Sequence, residues 1–468
     1  MSLITPGEIL PADELGKVHF IAIGGVGMSG IARVMLKRGI AVSGSDAKDS
    51  DLLAQLSGLG AKVFVGHDAA HVGDADTVVV STAIRETNPE LVAARERGLR
   101  VLHRSAALAA LMVGRRAVAV AGTHGKTTTT SMLTVALQHA GADPSYCIGG
   151  QLVTTGLGAD EGTGDVFVAE ADESDGSFLM YTPHIAVITN VEADHLDNYG
   201  GFEKVKENFA RFVERIEPGG TLVVGADDPV AMELGEQGRA RGLTVRTYGE
   251  AEGADLRVSG FTPRGLGSAF EIEGVGAVAL NVPGRHNALN AAAVVAVAQA
   301  LGRDLAAVRE GLTAFGGAMR RLEPKGTANG IEVFDSYAHH PTELTADLSA
   351  TRDYVEQKGG GRIVAVFQPH LYSRTRFFAA EFGAALGLAE VAVVLDVYGA
   401  REDPEPGVTG KLVSDAVPSG TQAVYAPVWD DVPATVVGLA RPGDVVITLG
   451  AGDVTRLGPM ILERIAAS

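Results

Sequence analysis

The ten residues Ala121-Gly122-Thr123-His124-Gly125-Lys126-Thr127-Thr128-Thr129-Thr130 constrain the fold more than any other stretch of the chain. They follow the apolar run 117–121 and precede a helical pattern that lasts to about residue 140. A buried strand, a turn with two glycines and a helix opened by Lys-Thr make the phosphate-cradling turn of a parallel α/β unit. Backbone N–H groups there surround phosphate oxygens, the lysine neutralises them and the hydroxyl reaches a divalent cation. The usual spacing has glycine at position 120; Val120 stands there, so this loop is a shorter variant. Gly122, Thr123, His124, Gly125, Lys126, Thr127 and Thr128 are therefore candidate ATP-binding residues, with Thr127 a candidate Mg²⁺ ligand.

Glycine is abundant, 60 residues against 19 prolines, and sits mainly just after short apolar runs, as parallel α/β units require. The run 18–23 leads into Gly25-Val26-Gly27-Met28-Ser29-Gly30 and a helical pattern over 28–37. Asp46 lies 21 residues beyond Gly25, past the next strand candidate at 40–42. Gly25, Gly27 and Gly30 suit a diphosphate on a helix N-terminus, and Asp46 suits a ribose hydroxyl. Alone, this motif indicates a nucleotide without saying which, and a nicotinamide or flavin dinucleotide fits it. Runs at 61–65, 77–80 and 100–102, with a helix over 88–97, continue a doubly wound sheet that closes near residue 112.

The next block places strands at 117–121, 166–169, 185–189 and 221–224, with a helix over 202–215. From 255 to 282, short alternating runs between glycines read as an antiparallel subsheet, and an Ala-rich helix over 288–301 returns to α/β. Gly316-Gly317 and Arg320-Arg321 mark a linker, followed by strands at 331–334, 363–367, 391–395 and 445–449 with helices between. The expectation is an α/β protein of three domains. A Rossmann-like domain covers 1–112, a central phosphate-loop ATPase domain with a small antiparallel subsheet covers 113–319, and a second Rossmann-like domain covers 320–468.

Composition narrows the partners. In 468 residues, 39 Lys plus Arg against 57 Asp plus Glu leave a net charge of −18, which argues against wrapping nucleic acid or lying on an anionic membrane. Apolar runs such as 291–298 are too short to span a bilayer, and residues 1–14 carry acids where a signal peptide is basic. The single Cys147 excludes an internal disulfide framework and a multi-cysteine metal site. A soluble, reducing-compartment protein is expected.

Two further groups stand at strand ends. Glu170 closes the run 166–169 within Glu170-Ala171-Asp172-Glu173-Ser174-Asp175, and an acid at the carboxyl end of a parallel strand faces the nucleotide crevice. His195 follows Asn190-Val191-Glu192-Ala193-Asp194. In isolation its imidazole reads as a locally satisfied polar group, because carboxylate and hydroxyl oxygens suit Mg²⁺ better.

Segments 122–128, 189–195, 284–290 and 335–343 resemble, in order, the motif set of the Mur ligases, ATP-dependent amide-forming enzymes of peptidoglycan precursor synthesis. The turn 24–30, the Gly-Thr-His-Gly-Lys-Thr loop, the acid run from Glu170 and Tyr337-Ala338-His339-His340-Pro341-Thr342-Glu343 together resemble its alanine-adding branch.

The resemblance implies a UDP-binding first domain, a central ATPase domain, and a third domain that helps hold ATP and the amino acid. By motif, Lys126 contacts the phosphates and Thr127, Glu170 and His195 hold Mg²⁺. His286, Asn287 and Asn290 lie near the adenine, while Arg320 and Asp335 contact phosphate and ribose. Tyr337, His339 and Arg374 surround L-alanine, with His339 the candidate base. The implied reaction joins L-alanine to UDP-N-acetylmuramate through an acyl phosphate, in a cytoplasmic monomer or weak homo-oligomer. Three positions depart from the family pattern. Leu371 replaces an arginine after His370, Ser336 stands where many relatives have a second acid, and Asn208 stands near the position of a carbamoylated lysine in sister ligases. Three alternatives are weighed: a sister ligase that attaches a preformed peptide, a nicotinamide-dependent dehydrogenase that would leave 122–130 without a use, and a regulatory nucleotide-binding protein without catalysis, which would not be expected to keep Lys126, Thr127 and Glu170 together.

Overall fold

In the computed structural model the described residues are 7, 9–194, 199–400 and 402–468. The apolar runs become strands buried on both faces, which is how parallel sheets flanked by helices consume them. β1 (Val18–Ile21), β2 (Val42–Asp46), β3 (Lys62–Val65), β4 (Thr77–Val80) and β5 (Arg100–His103) form a parallel sheet in the order β3-β2-β1-β4-β5. The order reverses between β1 and β4, and a doubly wound sheet opens its crevice at that point. The first glycine turn follows β1 there and feeds the helix Val26–Lys37. Asp46 closes β2 itself, because that strand runs over 42–46 and not 40–42.

A second sheet contains β6 (Arg116–Ala121), β7 (Ser145–Cys147), β8 (Ala159–Asp160), β9 (Val166–Glu170), β10 (Ile185–Ile188), β11 (Thr221–Gly225), β12 (Thr244–Gly249), β13 (Leu256–Arg264), β14 (Gly267–Ile272) and β15 (Gly276–Leu280). Its order is β15-β14-β13-β12-β11-β10-β6-β9-β7-β8. β9, β6 and β10 are parallel neighbours, with Val120 opposite Glu170 and Ala121 opposite Ile188. Two-residue and three-residue connections join β13, β14 and β15 as the expected meander, and β8 runs antiparallel to β7.

The third sheet holds β16 (Glu323–Ala328), β17 (Ile331–Ser336), β18 (Ile363–Phe367), β19 (Val391–Val394), β20 (Gln422–Tyr425) and β21 (Val445–Leu449). Its order is β16-β17-β21-β18-β19-β20, parallel except for the edge strand β16. The α/β class and the mixed central sheet agree with the sequence reading. The chain divides into two compact units. One comprises residues up to Ser259 with Ile272–Gly276 and Leu289–Phe315; the other comprises Gly260–Glu271, Ala277–Ala288 and Gly316–Ser468.

Inside the first unit, Glu161 gathers charge from both of its sheets. It accepts from Arg38 Nε and Nη2 at 3.0 and 2.9 Å, from Arg115 at 3.0 Å and from Ser145 Oγ at 2.9 Å. The apolar run Ala291–Ala298 is fully buried in the helix Arg285–Ala300, as an all-round hydrophobic helix must be. Among the described residues no helix is long and apolar enough to cross a membrane.

Glu90, in the first turn of the helix Pro89–Glu96, is wholly buried. Its carboxylate accepts from Ser45 Oγ at 2.6 Å, from the Asp68 amide at 3.2 Å, and faces His19 and His71, each at 3.3 Å. Burial opposes the charge, but the His19 and Ser45 hydrogen bonds outweigh it and hold the carboxyl down to about 2. Below about pH 4.5 the unfolded chain therefore binds a proton that the folded chain refuses. Stability from Glu90 is complete above that pH and is lost as pH falls towards about 2. Glu90→Gln should flatten this part of the acid-unfolding curve, measured by circular dichroism against pH.

Candidate active site

The phosphate turn is built from strand ends. β6 stops at Ala121, the helix Lys126–His139 starts after four intervening residues, and that turn is fastened to the segment after β10. Asn190 O accepts the Thr123 amide at 2.9 Å and Asn190 Oδ1 accepts the His124 amide at 2.9 Å. Thr189 Oγ1 and Asn190 Nδ2 donate to His124 O at 2.7 and 3.1 Å, and the Glu192 amide donates to Thr123 Oγ1 at 2.8 Å. Both glycines are required. A Cβ on Gly122, at φ +132°, would lie 1.9 Å from Thr189 Oγ1, and one on Gly125, at φ +84°, would lie 2.8 Å from Asn290 Oδ1. Asn290, expected near the adenine, thus sits beside the phosphate turn. Val120 and Ala121 belong to the strand, so the turn begins at Gly122, two positions later than in the longer motif.

Glu170 and Thr127 meet as expected. Thr127 Oγ1 donates to Glu170 Oε1 at 3.1 Å, and the Gly149 amide donates to Oε2 at 2.7 Å. Adjacent ligands of an octahedral Mg²⁺ with bonds of about 2.1 Å stand about 3 Å apart, so this pair fits that ion. His195 lies outside the described residues.

Lys126 is caged. Its ammonium donates to Gly122 O at 2.6 Å, Thr123 O at 3.0 Å and Glu173 Oε1 at 2.8 Å. Burial opposes the lysine's charge, yet Glu173 raises its pKa above the ordinary value. Burial pushes Glu173 itself up to about 7. The sequence alone gives Glu173 no role; its signal is an acid three residues beyond Glu170, which the fold brings to a lysine that needs a counter-ion. The preceding acid, Asp172, pairs with Arg104 at 2.8 Å.

At the first glycine turn, Asp46 Oδ2 accepts the Gly24 amide at 2.9 Å, so the expected ribose ligand also braces the turn. A Cβ on Gly30 would press on Ala159 at 3.0 Å, and one on Gly27 would sit 3.6 Å from Arg104 Nη1. Gly25 caps the helix Val26–Lys37 without a side-chain hydrogen bond.

The second unit holds the remaining candidates. Asp335, fully buried at the end of β17, accepts from Arg320 Nε at 3.0 Å, Thr448 Oγ1 at 2.7 Å and Thr455 Oγ1 at 2.8 Å. Arg320, at φ +59°, also donates to Gly450 O at 2.6 Å and lies over the Tyr337 ring. His339 Nδ1 stands 3.0 Å from Tyr337 O and 3.2 Å from Glu343 Oε2, which keeps a proton on Nδ1 and the basic lone pair on Nε2. The His339 ring meets His370 edge-on at 5.8 Å, and His370 Nδ1 is 3.2 Å from Arg374 Nη1. Tyr337, His339, His370 and buried Arg374 thus form one cluster. Leu371 is 4% exposed with φ +69°, so its side chain belongs to the interior. Asn287 Nδ2 donates to Pro283 O at 2.7 Å, and burial with Arg321 nearby lowers His286 to about 4. In the first unit, Asn208 bonds Lys204 O, and nearby Lys206 pairs with Glu203 at 2.7 Å.

Family models match three stretches: the Mur ligase family catalytic domain over 17–116, the Mur ligase middle domain over 120–298 and the Mur ligase glutamate ligase domain over 320–452. The UDP-N-acetylmuramate–L-alanine ligase of Thermobifida fusca is 60% identical over 474 residues, covering 99% of this chain and 100% of that one. The crystal structure of the UDP-N-acetylmuramate–alanine ligase of Thermotoga maritima superposes with a TM-score of 0.80 at 30% identity, covering 96% of this chain and 99% of that one. A murein peptide ligase from Psychrobacter arcticus gives a TM-score of 0.69 at 25% identity, covering 97% and 99%.

Gly122 offers a direct check of the turn. Because its Cβ position is already filled by Thr189, Gly122→Ala should weaken ADP binding by about 10-fold or more, measured by calorimetry. Unchanged affinity would mean that the turn tolerates displacement and does not shape the phosphate site.

Proposed function

The chain belongs to the Mur ligase family, and on that premise we propose that it joins L-alanine to the lactyl carboxylate of UDP-N-acetylmuramate, forming ADP and phosphate. The end-to-end likeness to alanine-adding ligases carries this reading. It also sets aside the dehydrogenase alternative. We assign 1–112 to the UDP-substrate, 113–319 to ATP and 320–468 to completing the ATP and amino-acid sites. A cytoplasmic setting suits substrates of this kind.

A carboxylate is a poor acyl donor because its oxide leaves badly. Its oxygen attacks the γ-phosphorus of ATP, ADP departs, and an acyl phosphate results. The alanine amine then adds to the carbonyl, and phosphate leaves from the tetrahedral intermediate. Lys126 and the turn amides stabilise the negative charge that builds on the transferring phosphoryl group. Thr127, Glu170 and, by family motif, His195 would hold Mg²⁺, which supplies charge neutralisation at the phosphates when bound. His339 takes the ammonium proton on Nε2, and Arg374 holds the alanine carboxylate, both supported by their shared cluster with Tyr337 and His370.

Phosphate release with ATP and UDP-N-acetylmuramate should be fastest with L-alanine and lower but measurable with glycine and L-serine, since one methylene or hydroxyl discriminates by only about 10–200-fold. It should be absent with a tripeptide; a preference for the tripeptide would assign the chain to the peptide-attaching branch. Lys126→Ala should lower kcat by about 10²–10⁴-fold. Arg374→Lys should raise KM for alanine far more than KM for ATP, because a planar fork is replaced by a point charge. Equal rises in both constants would move Arg374 to the nucleotide site.

A further inference from the structure

We infer that Glu173 is a positioning residue for Lys126, occupying the ammonium proton that a nucleotide phosphate takes over. The inference rests on the reading of residues 122–130 as the ATP site. An ammonium has three protons to donate. In this structure Gly122 O, Thr123 O and Glu173 Oε1 accept them, at 2.6, 3.0 and 2.8 Å. The two carbonyls belong to the turn that carries the lysine, and the stitching to Asn190 and Thr189 fastens that turn without any contribution from Glu173. Glu173 comes from another segment, three residues past the end of β9, and is the only anion of the three. A phosphate oxygen is its chemical equivalent, an anionic acceptor of a charge-assisted hydrogen bond.

Exchange of carboxylate for phosphate follows from that equivalence. Until it occurs, Glu173 holds Nζ within the turn, so that the side chain is ordered before the ligand arrives. The side chains are 4% and 15% exposed for Glu173 and Lys126, so water does not readily replace either partner. Two effects of opposite sign result. Glu173 competes with the nucleotide for the ammonium and weakens binding. It also aims the ammonium, which favours turnover. A residue that merely supported the fold would have one sign only, and its loss would weaken both.

The test uses the full chain, with ADP and Mg²⁺ in calorimetry and steady-state kinetics for ATP. Glu173→Gln keeps the shape and removes the charge. Its ADP affinity should rise about 3–10-fold, the worth of one partly screened charge-assisted bond, while kcat falls. KM for ATP should fall with it. Glu173→Asp, with the carboxylate drawn back by one methylene, should shift ADP affinity the same way by less. Unchanged or weaker ADP binding in a folded Glu173→Gln overturns the inference. If that variant does not fold, equal or weaker binding by Glu173→Asp overturns it instead. Failure of the parent chain to bind ADP would strike the ATP-site reading underneath, a result distinct from both.

Discussion

Thr189 fills the space that a side chain on Gly122 would need, and the chemistry of the first unit is arranged around that exclusion. The turn after β6 has no regular hydrogen-bonding partner of its own, so its polar backbone must be satisfied from elsewhere. β10 supplies this, because a parallel neighbour ends at the same level and delivers Thr189 and Asn190 alongside. On the other side, β9 ends with Glu170 opposite Val120. Three adjacent carboxyl ends therefore contribute the turn, its fastening and its carboxylate. Sheet register sets these relations, and side-chain flexibility hardly enters.

Charge in the site is managed by local pairing. Lys126 and Arg104 are cations that face the places where phosphate-bearing ligands are expected, and each is held by one of two consecutive acids, Glu173 and Asp172. Arg104 keeps Asp172 ionised at about 2 against the cost of its burial, whereas burial lifts Glu173 to about 7. Arg104 Nη2 and the Ser174 amide both donate to Asp172, whereas Glu173 shares its ammonium with two carbonyls and faces the like charge of Asp172. A single loop thus stabilises two cations that would otherwise be unpaired in partly buried surroundings.

The sequence made the strand–turn–helix at 117–130 legible because its signal is local: an apolar run, two glycines and Lys-Thr in order. The same holds for β1 and its turn, and for Glu170 at the end of a strongly apolar strand, whereas only the family resemblance points to Asp335. What escaped depends on long-range pairing. Asn190, Arg104 and His370 are ordinary polar residues until the sheets bring them to a turn or a cluster. Edge strands also escaped. β16 contains Pro324, Lys325 and Gly326 and looks like a loop, yet an edge strand tolerates such residues because one of its sides needs no partner. β20 is half exposed and too short to show a pattern. Family motif groups Asn290 with His286 and Asn287, and its side chain also stands beside Gly125.

Ser336 shows how a departure from a family pattern can be absorbed. An acid is expected after Asp335, and a serine stands there at the buried end of β17. The serine hydroxyl donates to Asp347, which reaches back from the helix Pro341–Gln357, and accepts the Ala338 amide at 3.1 Å. A carboxylate is therefore present in the same neighbourhood, supplied by a different element. Burial pushes it up to about 6, against the opposing pull of Ser336 and Arg321. A carboxyl directly after Asp335 would have put two acids on consecutive residues of one strand. With Ser336 there, Asp335 holds Arg320, Thr448 and Thr455 without a like charge on the next residue. The end of β17 thus keeps an acid beside it through the Ser336–Asp347 hydrogen bond.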